Sequence, residues 1–174
     1  MVLLVLLSVG LAAQKANMAL HFGSATATDK SDYQSNTRFG GGLSYQFYVN
    51  KNFSLGLEAF YLGFRFEGAD STVNILPIQG VAAARLPVSE NLEFYGGSGG
   101  GLFVERYKSR FDLAEVELLW GLTPRAGLVY EFAQDVSLDV HAQYAITLTE
   151  STADDVNGIL SFNLGLAYNI FASF

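Results

Sequence analysis

From Val136 to Leu148 the chain alternates: Val136, Leu138, Val140, Ala142, Tyr144, Ile146 and Leu148 on one parity, Ser137, Asp139, His141, Gln143, Ala145 and Thr147 on the other. In a chain that is 50% hydrophobic, seven apolar residues in a row on one parity arise by chance about once in a hundred. Successive strand side chains point to opposite faces, so a period of two means β-structure. Leu160–Phe174 repeats the pattern with Leu160, Phe162, Leu164, Leu166, Tyr168, Ile170, Ala172 and Phe174 on one face.

The same period recurs backwards through Leu118–Phe132, Leu92–Val104, Leu76–Leu86, Phe53–Gly63, Arg38–Val49 and, most weakly, Met18–Ser24, which makes eight strands. Asn50–Asn52, Pro87–Asn91 and Ala133–Asp135 are tight turns between them. Thr26–Thr37, Phe66–Ser71, Arg106–Glu117 and Thr149–Gly158 are longer and mostly polar. Short connections at one end and long ones at the other predict an all-β, eight-stranded antiparallel up-and-down transmembrane β-barrel. The strand after Leu92 runs through Gly96–Gly101 without losing phase. That stretch is no phosphate loop, because no Gly-Lys-Ser/Thr follows.

Which face is outside is decided by what the polar face carries. Only 16% of residues are charged, against about 25% in ordinary soluble domains. The four lysines, Lys15, Lys30, Lys51 and Lys108, fall outside the eight stretches. A watered strand face carries lysine freely. Here the polar face is mostly Gly, Ser, Ala, Asn and Gln, small enough to crowd a narrow barrel interior. Aromatics near the ends of the apolar face predict two interfacial girdles. Phe47, Phe53, Phe94, Tyr130 and Phe132 lie on the short-turn side, and Tyr61, Trp120, Tyr144 and Phe162 on the long-loop side. The chain also ends on an apolar-face aromatic, Phe174. A soluble carrier barrel, apolar inside, would show none of this.

Met1–Ala13, MVLLVLLSVGLAA, is too short for a membrane helix. With small residues at Gly10, Ala12, Ala13 and Ala16 it reads as a secretory leader over residues 1–16, cleaved near 12–16, although basic residues at its start are lacking. Residues 17–174 then form the barrel domain. No apolar stretch beyond Leu20 is long enough for a helical span.

The final stretch NLGLAYNIFASF, Asn163–Phe174, resembles the last-strand sorting signal of bacterial outer-membrane proteins. Gly165, Tyr168, Ile170 and Phe174 stand where that signal has glycine, spaced hydrophobics and a final aromatic. Together with eight strands and a leader, it makes the chain resemble the OmpA-type small barrel family, the outer membrane protein β-barrel domain group. The resemblance implies a bacterial outer-membrane location, assembly by the outer-membrane insertion machinery, periplasmic termini and long loops outside the cell. It implies no cell-wall tether, because no peptidoglycan-binding domain follows the barrel.

Function is confined to the lumen and the loops, since the outer face meets lipid. The inward set comprises Arg38, Glu58, Arg85, Glu93, Glu105, Arg125, Glu131, Asp139 and His141. Mixed charges in a poorly solvated lumen are expected to pair, because a lone buried charge costs several kcal/mol. A polar plug is the expectation, with a narrow ion or solute pore as the alternative. Arg85 is expected directly across from Glu93, if Leu86 faces Leu92. A two-residue slip would set Arg85 opposite Tyr95.

Barrel lipid A deacylases of the PagL kind resemble this architecture and use a strand-borne histidine with a serine two residues on. His141 is followed by Ala142 and Gln143, so that nucleophile is missing and no catalysis is expected. Cysteine is absent. His21 and His141 lie inward on different strands, and neither a metal nor another cofactor is assigned. Net charge is −7, which argues against nucleic-acid binding. The long connections carry Asp29, Asp32, Glu67, Asp70, Asp112, Glu115, Glu117, Glu150, Asp154 and Asp155, with Arg106, Lys108 and Arg110 in the third. A structural or surface-interaction role beside outer-membrane lipid and lipopolysaccharide is expected, carried out by a monomer.

Overall fold

A computed structural model of the chain describes residues 15–28, 38–66, 71–108, 115–148 and 158–170. Eight strands follow in order: β1 Lys15–Ala27, β2 Arg38–Asn50, β3 Phe53–Phe66, β4 Ser71–Pro87, β5 Leu92–Lys108, β6 Glu115–Ala133, β7 Val136–Thr147 and β8 Gly158–Ile170. Each pairs antiparallel with its sequence neighbours. β1 also pairs with β8, from Ala16↔Ile170 to Ala27↔Ile159, which closes the barrel. Closure removes both free edges, so every strand has a ladder on each side.

The face assignment follows the sequence parity. In β8, Ser161, Asn163, Gly165, Ala167 and Asn169 are buried inside while Leu160, Phe162, Leu164, Leu166, Tyr168 and Ile170 are exposed outside. Large apolar side chains such as Phe22, Leu43, Leu118 and Leu122 stand exposed around the barrel, the inverse of a soluble core. Of the nine aromatics expected in the two girdles, eight are exposed on the outer face. Phe47 keeps its outward phase but is 2% exposed, because Ala16 and Leu55 pack over it. At the long-loop end two outer hydroxyls are tied down: Tyr61 Oη donates to Asn74 Oδ1 at 2.8 Å, and Tyr144 Oη lies 2.9 Å from Thr28 Oγ1.

The strands run further than the alternation suggested, and the extension has a cause. β4 begins at Ser71 and not at Leu76. Over Val73 and Ile75 the period of two continues, but the apolar residues now point inward. The same inversion puts Phe60, Leu62, Phe103, Leu119, Ala145 and Ile159 inside, where with Ala25, Val73 and Ile75 they form one buried cluster. The lumen is therefore not polar throughout, as the sequence suggested. Its long-loop half is an apolar layer, and its polar groups lie mainly in the short-turn half.

Prolines interrupt single ladders. Between β3 and β4 the pairing passes from Ala59↔Ile78 to Leu62↔Ile75, skipping Pro77, while Pro77↔Phe103 holds on the other side. Between β6 and β7 it passes from Leu122↔Ile146 to Arg125↔Gln143, skipping Pro124. Proline has no N–H to give, so only the ladder it would donate to is lost.

At the N-terminal end, β1 takes in Lys15 and Ala16, two residues expected in the leader. Lys15 is thus a strand residue, as is Lys108 at the end of β5. Lys15 Nζ lies 3.4 Å from Glu131 Oε2 near the short-turn end.

Candidate functional site: the filled lumen

Three polar groupings occupy the lumen below the apolar layer. The first centres on Glu58 of β3 and Arg125 of β6, on opposite sides of the barrel. Arg125 makes a bidentate pair with the carboxylate, Nη1 to Oε2 at 2.5 Å and Nη2 to Oε1 at 2.9 Å. Gln79 Nε2 donates to the same Oε1 at 3.1 Å. Both charged side chains are 1% exposed, so each charge depends on the other. Room for this span is left by glycine: a Cβ at Gly99 would stand 2.7 Å from the Gln79 amide carbon.

The second grouping surrounds Arg85 of β4. The guanidinium donates through Nε to Ser54 Oγ at 3.1 Å, through Nη1 to Glu93 Oε2 at 2.6 Å and through Nη2 to Gln46 Oε1 at 3.1 Å. Its carbon lies 4.4 Å from the Tyr48 ring centroid and 5.4 Å from that of Tyr95. The Arg85–Glu93 contact forms, but not in the expected register. Leu86 pairs with Phe94, so Arg85 faces Tyr95 and Pro87 faces Glu93. The hairpin closes through Val88 N and Ser89 N, both donating to Leu92 O. The ladder is centred on Glu90 and not on Ser89, which slides it by two. The long arginine side chain then bridges the diagonal.

The third grouping joins inward residues whose meeting the sequence did not show. The chain has two histidines, and their rings meet edge-on with centroids 5.3 Å apart. His21 comes from β1 and His141 from β7, with β8 between them. The intervening position is Gly165, which pairs with His21 on one side and Asp139 on the other. A Cβ there would lie 2.7 Å from His21 Cε1, so only glycine admits the imidazole. Asp139 Oδ1 accepts from Tyr95 Oη at 2.9 Å and lies 3.0 Å from His141 Nδ1. Asn163 Nδ2 donates to His141 Nε2 at 3.1 Å. Nδ1 therefore carries the His141 proton and gives it to Asp139. His21 Nε2 lies 2.8 Å from Ser44 Oγ, whereas its Nδ1 has no hydrogen-bond partner. Tyr95 lies over Gly127 of β6.

The remaining inward charges divide by level. Glu131 pairs with Lys15 at the short-turn end. Glu105 is buried two residues beyond Phe103, directly across from Ile75 of the apolar layer on one side and from Glu117 on the other. No contact joins it to the Glu58 network among the described residues. The Arg38 side chain, Phe174, most of the leader and most of the loop charges lie outside the described residues. Of the sorting-signal positions, Tyr168 and Ile170 are exposed outward and Gly165 faces the lumen.

A closed antiparallel barrel with an apolar exterior, exposed outer aromatics and an interior packed with a polar half and an apolar layer defines an integral membrane protein that crosses with strands. The outer membrane protein beta-barrel domain model matches residues 1–169, and the chain belongs to that family. Its place is the bacterial outer membrane. No curated protein matches the chain in sequence. Among solved structures it is similar to the N-terminal β-barrel domain of Pseudomonas aeruginosa OprF, with a TM-score of 0.64, 14% identity and coverage of 91% of this chain and 98% of that one. It is also similar to Ail, the attachment invasion locus protein of Yersinia pestis, in complex with the heparin analogue sucrose octasulfate (TM-score 0.63, 17% identity, 90% and 98% covered). OprG of Pseudomonas aeruginosa gives a TM-score of 0.63 at 12% identity, with 92% and 97% covered. At these identities the likeness is one of fold.

Proposed function

We propose that this protein is a non-conducting, non-catalytic barrel that works as a structural element of the outer membrane and through its cell-surface loops. The observation that carries this reading is the filling of the lumen at two levels. The Arg125–Glu58 and Arg85–Glu93 pairs occupy the short-turn half, and the Phe60–Phe103 layer occupies the other. A polar plug alone could relay ions between charged groups. An apolar constriction in series repels both water and ions. The Asp139–His141 pair is held inside the lumen, away from acyl chains, which speaks against work on membrane lipid.

Recognition then falls to the loops, as on other rigid scaffolds. Their acidic composition favours cationic or divalent-bridged surfaces, lipopolysaccharide included. It does not favour the polyanionic kind of ligand seen with Ail. The reading includes a cleaved leader, assembly by the insertion machinery through Tyr168, Ile170 and Phe174, and a monomeric state.

Planar-bilayer recording tests the lumen. The refolded wild-type chain is expected to give no discrete conductance steps, and steady single-channel steps would sink the plugged reading. Unchanged lipid A mass spectra with and without expression are expected, and a shifted lipid A species would restore the enzyme reading.

A further inference from the structure

We propose that His21, Asp139 and His141 form a lumenal binding site for a zinc-class divalent metal ion. One ligand atom from each of the three buried residues lies within 4.8 Å of the other two. Metal–nitrogen and metal–oxygen bonds of about 2.0–2.2 Å place tetrahedral ligands about 3.3–3.6 Å apart. Closing the site would draw these atoms together by on the order of 1 Å.

Three further features fit a metal better than a packing cluster. The His21 ring is held through Nε2 by Ser44, leaving Nδ1 buried without a partner. One nitrogen anchored by a hydrogen bond and the other free is the arrangement that orients a ligating imidazole. The charge balance points the same way. Glu58 and Glu93 are each matched by an arginine, whereas Asp139 is bonded to Tyr95 and His141. A divalent cation would supply the missing positive charge. Lastly, Asn163 touches His141 through Nδ2 while its Oδ1 has no partner. An amide flip would set that oxygen against His141 Nε2 to accept its proton, and the shift of the imidazole proton from Nδ1 to Nε2 frees Nδ1 to ligate beside Asp139. Two imidazoles with one carboxylate and no thiolate suit zinc and its borderline neighbours.

The test uses the full chain refolded into phosphatidylcholine nanodiscs with and without zinc chloride, then freed of loose metal by gel filtration. Wild-type protein should retain about one zinc per chain. His21→Gln and His141→Gln should lose it. Ser44→Ala, which removes only the orienting hydrogen bond, should bind about tenfold more weakly. Heat-modifiable migration on a gel establishes that each variant is folded. If either histidine variant fails to fold, cobalt(II) loaded into the wild type decides. Intense tetrahedral visible bands support the site, and a weak octahedral spectrum overturns it. Folded wild type that retains no zinc, or retention unchanged in both histidine variants, overturns it as well.

Discussion

Arg85 reaches Glu93 along a diagonal: its Nη1 lies 2.6 Å from Glu93 Oε2, although its cross-strand partner is Tyr95. The diagonal leaves the guanidinium free to serve Ser54 and Gln46 at the same time. The two ends of the pair are unequal, since the arginine side chain is 1% exposed and the glutamate 25%.

That inequality predicts an asymmetric mutant cycle. Glu93→Gln should cost about 1–3 kcal/mol, since it replaces the charge-assisted bond to the guanidinium by a neutral one and leaves that charge uncompensated. Arg85→Met should cost more, about 3–5 kcal/mol, because it unpairs Ser54, Gln46 and Glu93 together. The double variant should be less destabilised than the sum, by about 0.5–3 kcal/mol. Urea titration in lipid vesicles measures all three, and strict additivity would show that the two residues do not interact.

The outward parity of β7 makes its own prediction. Val140 is exposed to lipid between buried Asp139 and buried His141. Val140→Arg should destabilise the barrel by about 2–4 kcal/mol if it lies near the bilayer midplane. Val140→Leu, which keeps the surface apolar, should fall within about 0.5 kcal/mol. Equal effects of the two in the same titration would contradict the inside–outside assignment.

Gly165 and Phe174 separate assembly from stability. A methyl group at Gly165 has to displace the His21 ring. Gly165→Ala should therefore lower the stability of protein refolded in vitro by about 1–3 kcal/mol. Deleting Phe174 should leave that stability unchanged and reduce insertion in cells, leaving protease-sensitive chain in the periplasm. A Gly165→Ala barrel as stable as wild type would assign the glycine to sorting alone.

Phe103 anchors the apolar layer. It is fully buried and faces Pro77 across the β4–β5 ladder. Phe103→Ala should cost about 3–5 kcal/mol by the usual cavity argument. Denaturant midpoints in lipid check this, and a cost under about 1 kcal/mol would mean that the long-loop half of the lumen is loosely filled.

What the sequence determined by itself was parity. Side chains alternate about each strand whatever the strand pairs with. Val136–Leu148 and Leu160–Ile170 therefore declared their strands, their outer faces and their inward Asp139, His141 and Asn163 without any knowledge of neighbours. The abundance of small inward residues, with lysine at turns and strand ends, told lipid from water on the same local grounds. Parity also persisted where the polarity inverted, at Val73, Ile75 and Phe103, but there the identity of the residues no longer marked the outer face.

Tertiary structure decided everything that depends on closure and register. A slip of two residues preserves every face while exchanging every partner, which is why Arg85 faces Tyr95 and meets Glu93 only obliquely. His21 and His141 are 120 positions apart in number. They meet because β1 closes on β8, which carries Gly165 between them, and an interior this narrow brings side chains from non-adjacent strands into contact. Glu58 and Arg125, each legible only as an inward charge, become one bidentate pair for the same reason: a closed barrel makes opposite walls near neighbours.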